Sequence, residues 1–172
     1  RLAAAYTFLD TEYTEFLEFS RNSSNIALAG RCELVTVGTG NQSTQCLLNL
    51  AGNQLERAPR GAATATLTYT HPIADGSSVV AELAAQYQGK RYFDQYNAQF
   101  FDSFVNTDAR VTWEHDNWSV TAYVDNLFDD DTIRSGFTQG DFFGLFSSPG
   151  SRSYVVTSPD PVRGGLRASY RF

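Results

Sequence analysis

The sequence predicts an all-β fold: residues 1–172 should contribute about six strands to an antiparallel transmembrane β-barrel. Apolar and polar side chains alternate along these segments, as they do in strands whose two faces meet different surroundings. Short turns alternate with long loops between the segments, an arrangement typical of outer-membrane barrels. From the second strand onward the apolar face carries no charged residue, so we expect lipid against it and water against the charged face.

Six strands are predicted from this alternation. Their expected ranges are residues 2–16, 61–69, 77–89, 105–113, 118–125 and 162–172. The apolar face is marked in turn by Leu2 and Phe8, Ala65 and Leu67, Leu83 and Tyr87, Val111 and Trp113, Val120 and Ala122, and Leu166 and Tyr170. The third segment also matches helical spacing, and its Ala-Glu-Leu-Ala-Ala-Gln stretch is a good helix former. The neighbouring strands favour a strand there too.

The connections predict an orientation for the sheet. Short turns are expected at residues 71–76, where Asp75-Gly76 supplies turn chemistry, and at Asp116-Asn117. Loops without secondary structure are expected at residues 18–57, 90–104 and 129–161. The short turns and the C-terminus then lie on the periplasmic side and the long loops on the extracellular side. Aromatic residues expected to form an interfacial girdle cluster on the turn side: Tyr69, Trp113, Trp118, Tyr170 and Phe172.

Composition excludes several classes of protein. The chain has 172 residues, no Met and a net charge of −6, so it lacks the basic surface of a nucleic-acid-binding protein. It contains no apolar run of about 18 residues, which excludes a transmembrane helix. Because it begins within an apparent strand, we expect a piece of a longer or processed chain.

The two cysteines, Cys32 and Cys46, lie in one polar stretch rich in Gly, Asn, Ser and Thr. This spacing favours a local disulfide in an oxidising compartment, with free thiols as the alternative. Such a bond would contribute roughly 3 kcal/mol in the chain-entropy model. A metal site would need further ligands, and His71 and His115 fall in other predicted turns.

No catalytic constellation is found. The chain has no Gly-x-Ser-x-Gly elbow, and Gly38-Thr39-Gly40 lacks the third glycine of a phosphate-binding loop. The aspartates at residues 129–131 lack the spaced oxygen ligands of a calcium loop. We therefore expect no enzyme activity, no cofactor and no metal.

Aromatic side chains in two of the long loops are candidate ligand-facing residues, because exposed aromatic clusters often mark recognition surfaces. They are Tyr92, Phe93, Tyr96, Phe100, Phe101, Phe137, Phe142, Phe143 and Phe146. The alternative is that they pack the loops onto each other. Charged residues on the polar face are expected to line the lumen and to pair across strands: Glu82, Asp108, Arg110, Glu114 and Arg167.

Residues 117–129, which end in Asn126-Leu127-Phe128-Asp129, resemble the penultimate strand of TonB-dependent outer-membrane receptors. Residues 165–172 resemble the last strand of that family, and residues 52–60 and 87–92 resemble the boundaries of earlier strands. Residues 1–51 match only by their pattern of strands and loops.

The resemblance implies a barrel of about 22 strands, of which this chain holds the last six, without the plug or the segment that contacts TonB. It implies active uptake of an iron–siderophore complex, cobalamin or a similar scarce ligand across the outer membrane of a Gram-negative bacterium. Leu166, Tyr170 and Phe172 match the signal read by the barrel-assembly machinery. The implied partners are the bilayer, the rest of the barrel and plug, the TonB complex and that machinery. The alternatives are a passive porin-type barrel and a soluble secreted β-sandwich binding module.

Overall fold

The computed structural model describes residues 1–20, 32–40, 43–140 and 152–172. Within these ranges the regular structure consists of β-strands and one short 3₁₀ turn at Ala74–Gly76. None of the helical structure in this part of the chain is long and apolar enough to cross a membrane.

The strands are numbered in chain order. Their bounds are β1 Leu2–Phe8, β2 Leu17–Ser20, β3 Cys32–Val37, β4 Ser43–Asn49, β5 Gly61–Pro72, β6 Ser78–Gln88, β7 Arg91–Tyr92, β8 Phe100–Phe101, β9 Phe104–His115, β10 Trp118–Asp125, β11 Ser135–Gly140, β12 Arg152–Thr157 and β13 Arg163–Tyr170.

One six-stranded sheet dominates the fold, in the order β1-β5-β6-β9-β10-β13. Every neighbouring pair in it is antiparallel. The sheet is not closed within the described residues, so β1 and β13 are its two edges. These findings confirm the predicted all-β, antiparallel architecture.

The register of the sheet brings the apolar residues of different strands into continuous rows. One row consists of Leu2, Leu67, Leu83, Ala109 and Val124. The next consists of Tyr69, Ala81, Val111, Ala122 and Leu166. Because a shift of one residue would turn a strand's apolar side chains to the other face, this register keeps the apolar surface on a single side.

That apolar face is open. Leu67, Leu83 and Val111 expose 50%, 42% and 49% of their surface, and Val120 is half-buried. No second layer of described residues covers them, as a β-sandwich would require. The face therefore has the accessibility expected of a surface that contacts lipid.

The opposite face of the sheet is polar. Glu82, Arg110 and Tyr123 lie in one row across β6, β9 and β10. The Arg110 guanidinium lies 3.5 Å from the Glu82 carboxylate, and the Thr112 and Thr121 hydroxyls are hydrogen-bonded at 2.9 Å. Cross-strand pairing of this face, expected from the sequence, is thus present for Glu82 and Arg110.

The first strand is shorter than predicted: it ends at Phe8 rather than at residue 16. Its partner β5 begins at Gly61, which pairs with Phe8, so β1 has no further strand to bond. Beyond that point Tyr13 forms backbone hydrogen bonds with Gly52 and Asn53 instead. The second and fourth predicted strands are longer than expected, and the sixth ends at Tyr170.

The third predicted segment is a strand, β6, despite its helical propensity. It hydrogen-bonds along its whole length to β5 on one side and to β9 on the other. Two ladders of backbone hydrogen bonds outweigh a preference that amounts to a few tenths of a kcal/mol per residue.

The prediction of loops without secondary structure is wrong. The first long connection contains a three-stranded sheet in the order β2-β4-β3, the second contains β7 paired with β8, and the third contains β11 paired with β12. Long extended segments satisfy their backbone polar groups by pairing locally, so strands form within the connections. The short turns are as predicted, with positive φ angles of 69° at Asp75, 75° at Gly76 and 49° at Asp116.

The buried core lies in these connections rather than under the large sheet. Cys46, Leu48, Leu50 and Tyr96 form a cluster that Phe16, Cys32 and Ala98 pack against. Three of its buried members come from the first connection and Tyr96 comes from the second. The end of the sheet that carries the long connections is therefore a packed structure in its own right.

We expect Ala122→Lys to reduce insertion into the membrane more than Thr121→Lys. Ala122 lies mid-strand on the apolar face, where a lysine in lipid costs about 2–4 kcal/mol. Thr121 is its neighbour on the polar face and is the matched control. The measurement is the yield of folded full-length protein in the outer-membrane fraction. Equal yields of the two variants would contradict the lipid-facing assignment.

Candidate functional site: the loop cap

The three long connections meet at one end of the sheet. We call their described residues, within 9–60, 89–103 and 126–162, the loop cap. The opposite end, with the turns at Ala74–Gly76 and at residues 116–117, is the turn end.

A disulfide lies inside the first connection. Cys32 of β3 and Cys46 of β4 are joined, with their Cα atoms 5.3 Å apart, and Cys46 is fully buried. The bond ties the edge strand β3 to the strand that carries Leu48 of the buried cluster. It therefore cross-links two neighbouring strands within the small sheet.

Hydrogen bonds join the first connection to the second. The Tyr96 hydroxyl donates to Glu18 Oε1 at 2.6 Å, and Asn53 Nδ2 donates to the carbonyl of Gln95 at 2.7 Å. Asn97 and Gln54 bond reciprocally, since the Gln54 N–H donates to Asn97 Oδ1 and Asn97 Nδ2 donates to the Gln54 carbonyl. These contacts make the two connections one unit.

Aromatic packing joins the second connection to the third. The Phe93 ring stacks on Phe101 at 3.8 Å between centroids and meets the edge of Tyr154 at 5.2 Å. At Gly136 an added Cβ would lie 2.5 Å from the Val155 carbonyl oxygen and 2.9 Å from the Phe93 ring, so glycine is required for this approach.

The structure divides the predicted ligand-facing aromatics into groups. Phe93, Tyr96 and Phe101 are buried, and their rings pack the connections together. The ligand-facing prediction is wrong for Tyr96, which is 2% exposed, whereas for Phe93 and Phe101 it stays a prediction, because both rings also line an open cleft. Tyr92 is half-buried, whereas Phe100 and Phe137 are exposed by 43% and 53%. Phe142, Phe143 and Phe146 lie outside the described residues.

An open cleft of about 420 Å³ lies between the second and third connections. We call it the aromatic cleft. Phe93, Phe100, Phe101 and Tyr154 contribute its rings, and Asp102 and Asp131 contribute its charged groups. Its size falls within the range of roughly 300–1,000 Å³ that is usual for small-molecule sites.

The junction between the sheet and the third connection is built on Asn126, which is buried and has a φ of 52°. Its amide Nδ2 donates to the carbonyls of Asp130 and Asp160 at 3.1 and 3.0 Å, and its Oδ1 accepts from the Asp130 N–H at 2.9 Å. Its backbone N–H donates to Asp108 Oδ1 at 3.0 Å. Asparagine suits this place because it tolerates the left-handed region and both donates and accepts.

Asp130 extends the junction to β9. Its carboxylate accepts from the backbone N–H groups of Thr132 at 2.9 Å and Val105 at 3.3 Å, and Arg134 lies 3.5 Å away. Burial by itself would raise the pKa of Asp130, but the hydrogen bonds from Thr132 and Val105 and the charge of Arg134 lower it below its ordinary value. The carboxylate form is thus the one that holds the loop.

Sequence reasoning did not assign this junction a role. The Asn126-Leu127-Phe128-Asp129 stretch carries the family resemblance, and the aspartates at residues 129–131 lack the pattern of a calcium loop. The signal that could have revealed it is an Asn and three Asp residues directly after a strand, since these residues favour left-handed turns closed by their own side chains. Asp129 also has a φ of 51°, and its carboxylate accepts from the Val162 N–H at 3.0 Å.

The predicted lumen-facing residues lie on the polar face of the sheet. A cleft of about 360 Å³ there is lined by Arg110, Arg167 and Tyr123, among others. Arg163 and Asp125 also line this cleft, and they form an ion pair with 3.1 Å between Nε and Oδ2. Asp108 is used by the Asn126 junction instead of pairing with a cation, and Glu114 faces Ser78 and Ser119 across the strands.

The predicted girdle is clustered at the turn end. The ring centroids of Trp118 and Tyr170 are 4.9 Å apart, and those of Tyr170 and Phe172 are 5.1 Å apart. Trp113 stacks on His115 with 5.7 Å between the ring centroids. Leu166, Tyr170 and Phe172 are all exposed. In the described part of the chain, no three His, Cys, Asp or Glu side chains are grouped as metal ligands.

Replacing Asn126 should release the third connection. Asn126→Ala removes three side-chain hydrogen bonds, worth roughly 1 kcal/mol each, and adds about 1 kcal/mol of left-handed strain, whereas Asn126→Gly removes only the hydrogen bonds. Hydrogen–deuterium exchange over residues 127–134 of the full-length protein should rise most for Ala and less for Gly. Leu127→Ala, which keeps these bonds, should leave exchange unchanged. Similar exchange in all three variants would refute the role of Asn126.

The stabilising contribution of the Asp130 carboxylate should be lost in acid. Because the pKa of Asp130 is lower in the folded protein, its stabilising contribution is present above the unfolded-state pKa and is lost as pH falls through the folded-state pKa. The thermal midpoint of the full-length protein should therefore fall less steeply with acidification in Asp130→Asn than in the parent. Asp75→Asn, in the exposed turn, is the control. Parallel curves for the parent and Asp130→Asn would argue against the anchor.

Comparison with known proteins agrees with this architecture. The family described as TonB dependent receptor-like, beta-barrel matches residues 2–127, which includes the N-terminal part where the sequence showed only a strand-and-loop pattern. The siderophore receptor PiuA from Acinetobacter baumannii is 22% identical with a TM-score of 0.60, and the match covers 97% of this chain and 18% of that one. The ferric yersiniabactin uptake receptor FyuA from Yersinia pestis is also 22% identical, with a TM-score of 0.59 over 72% of this chain and 18% of that one.

This chain thus spans about a fifth of the length of each of these structures, and at this identity the likeness shows a shared fold. The family match covers most of the chain, and the sheet has the pairing and the two distinct faces that the family's barrel requires. The chain therefore belongs to the TonB-dependent receptor-like β-barrel family.

Proposed function

We propose that this chain is part of an outer-membrane receptor that takes up a scarce ligand, such as an iron–siderophore complex or cobalamin, with energy transmitted by TonB. It acts as a transporter and catalyses no reaction. The observation that carries the proposal is the open, uncharged apolar face of a sheet that belongs to this family. The two similar structures are a siderophore receptor and a ferric yersiniabactin uptake receptor, which supports iron–siderophore complexes as the first ligands to test.

The membrane is the partner of the apolar face. A soluble β-sandwich would bury Leu67, Leu83 and Val111 under a second sheet, and among the described residues they remain exposed. The unpaired edges β1 and β13 need further strands, because unbonded backbone groups are costly in lipid. The rest of the barrel supplies those strands in the proposal.

The polar face would line the lumen and meet the plug. Arg110 is already paired with Glu82, whereas Arg167 has no ion-pair partner among the described residues and exposes its charge on this face. A carboxylate of the plug is the natural partner for it. At the turn end, Leu166, Tyr170 and Phe172 are exposed, as a signal for the barrel-assembly machinery has to be.

The loop cap would be the ligand-binding region. It is held together by its own buried cluster, a disulfide and hydrogen bonds between connections, and it is fixed to the sheet at Asn126 and Asp130, so it can keep a recognition surface in place. The aromatic cleft opens in it, and Phe100 and Phe137 remain exposed as contacts for a ligand. A passive porin is the second candidate, and it differs by needing no energy.

Uptake in cells separates the two candidates. Cells that make the full-length protein would be given a panel of radiolabelled ferric siderophores, including ferric yersiniabactin, with and without functional TonB. We expect at least one complex to bind the cell surface in both backgrounds and to accumulate inside only when TonB is present. Accumulation that does not depend on TonB would contradict the proposal and favour the porin.

A further inference from the structure

The aromatic cleft has a chemical character of its own, which bears on the class of ligand it accepts. Its walls are mainly apolar, with the rings of Phe93, Phe100, Phe101 and Tyr154 supported by Ile133. The charged side chains that line it are carboxylates only, those of Asp102 and Asp131. Both aspartates are exposed, and neither has an ion-pair partner in the described part of the chain.

The rings around the cleft already accept cations from the protein itself. Lys90 Nζ lies 3.7 Å from the centroid of Phe100, and the Arg91 guanidinium carbon lies 4.8 Å from that of Phe101. Neither Lys90 nor Arg91 lines the cleft, so the charged lining of the cleft is acidic. The negative faces of aromatic rings attract cations, and carboxylates beside them add to that attraction.

From these observations we infer that the aromatic cleft binds an organic cation: an ammonium or guanidinium group carried on a compact aromatic or aliphatic body. The apolar body would lie against Phe100 and Ile133, and the cation would lie between Asp102 and Asp131. An anion of the same shape would make the same apolar contacts, but the two carboxylates would repel it, so it would bind more weakly. The inference rests on the proposed function in one respect: it takes the cation to be the transported ligand or a part of that ligand.

Charge and shape can be tested separately with three matched probes: 2-phenylethylammonium, neutral 2-phenylethanol and anionic 3-phenylpropionate. Binding to the full-length protein in detergent would be measured by isothermal titration calorimetry and saturation-transfer NMR. We expect the cation to bind most tightly and the anion most weakly. No detectable binding of the cation up to about 10 mM, or equal binding of all three probes, would overturn the inference.

The site of binding is tested by removing the charges. Asp102→Asn with Asp131→Asn should weaken binding of the cation about five-fold or more and leave 2-phenylethanol unaffected, because neither carboxylate forms an ion pair or a hydrogen bond with another described residue. Asp75→Asn, at the turn end, should change neither. An affinity for the cation that stays within about two-fold in the double variant would contradict the inference.

These results can be read apart from the uptake experiment. Binding to purified protein needs no energised membrane, so the cleft can bind cations even if uptake proves independent of TonB. Conversely, a TonB-dependent uptake of anionic complexes alone, with no binding of the cationic probe, would support the proposed function and refute the cation site.

Discussion

The structure depends on one constraint: the two faces of a single sheet meet different surroundings. Every strand must therefore place its apolar side chains on the same face of the sheet. Rows such as Tyr69, Ala81, Val111, Ala122 and Leu166 keep the apolar side chains of neighbouring strands together. In water the apolar area of such a face would stay exposed, which costs a free energy of about 25 cal/mol for each Å². In hydrocarbon the face is favourable, and the ladders of the sheet satisfy the backbone groups that lipid cannot.

This constraint explains where the packed interior lies. A one-layer sheet with lipid on one side and water on the other has no core of its own, so the described core is found in the loop cap, around Cys46, Leu48, Leu50 and Tyr96. The cap is fixed to the sheet at Asn126 and Asp130, whose hydrogen bonds reach β9 and Asp160, just before β13. A packed loop cap on a one-layer sheet suits a receptor. Recognition needs side chains in fixed positions, whereas the sheet needs only to separate lipid from water.

The sheet was predictable from the sequence because it follows from a local pattern. Alternation located all six strands, and the Asp75-Gly76 and Asp116-Asn117 pairs located the turns. The end of β1 was not predictable, since it depends on where its partner β5 begins, at Gly61. The loop cap was missed for the same reason: the pairing of β2, β3 and β4, and the burial of Phe93, Tyr96 and Phe101, depend on contacts between residues distant in sequence.

The central claim, that lipid covers the apolar face, is tested most directly by spin labels placed one at a time along β10, from Ser119 to Val124, in the full-length protein in liposomes. Collisions with oxygen, which concentrates in the bilayer, should be frequent at Val120, Ala122 and Val124 and rare at the other three positions, Ser119, Thr121 and Tyr123. A water-soluble nickel chelate should show the opposite alternation or no access. If oxygen reaches both sets equally, or is excluded from Ala122 and its row, protein or water covers that face and the account is wrong.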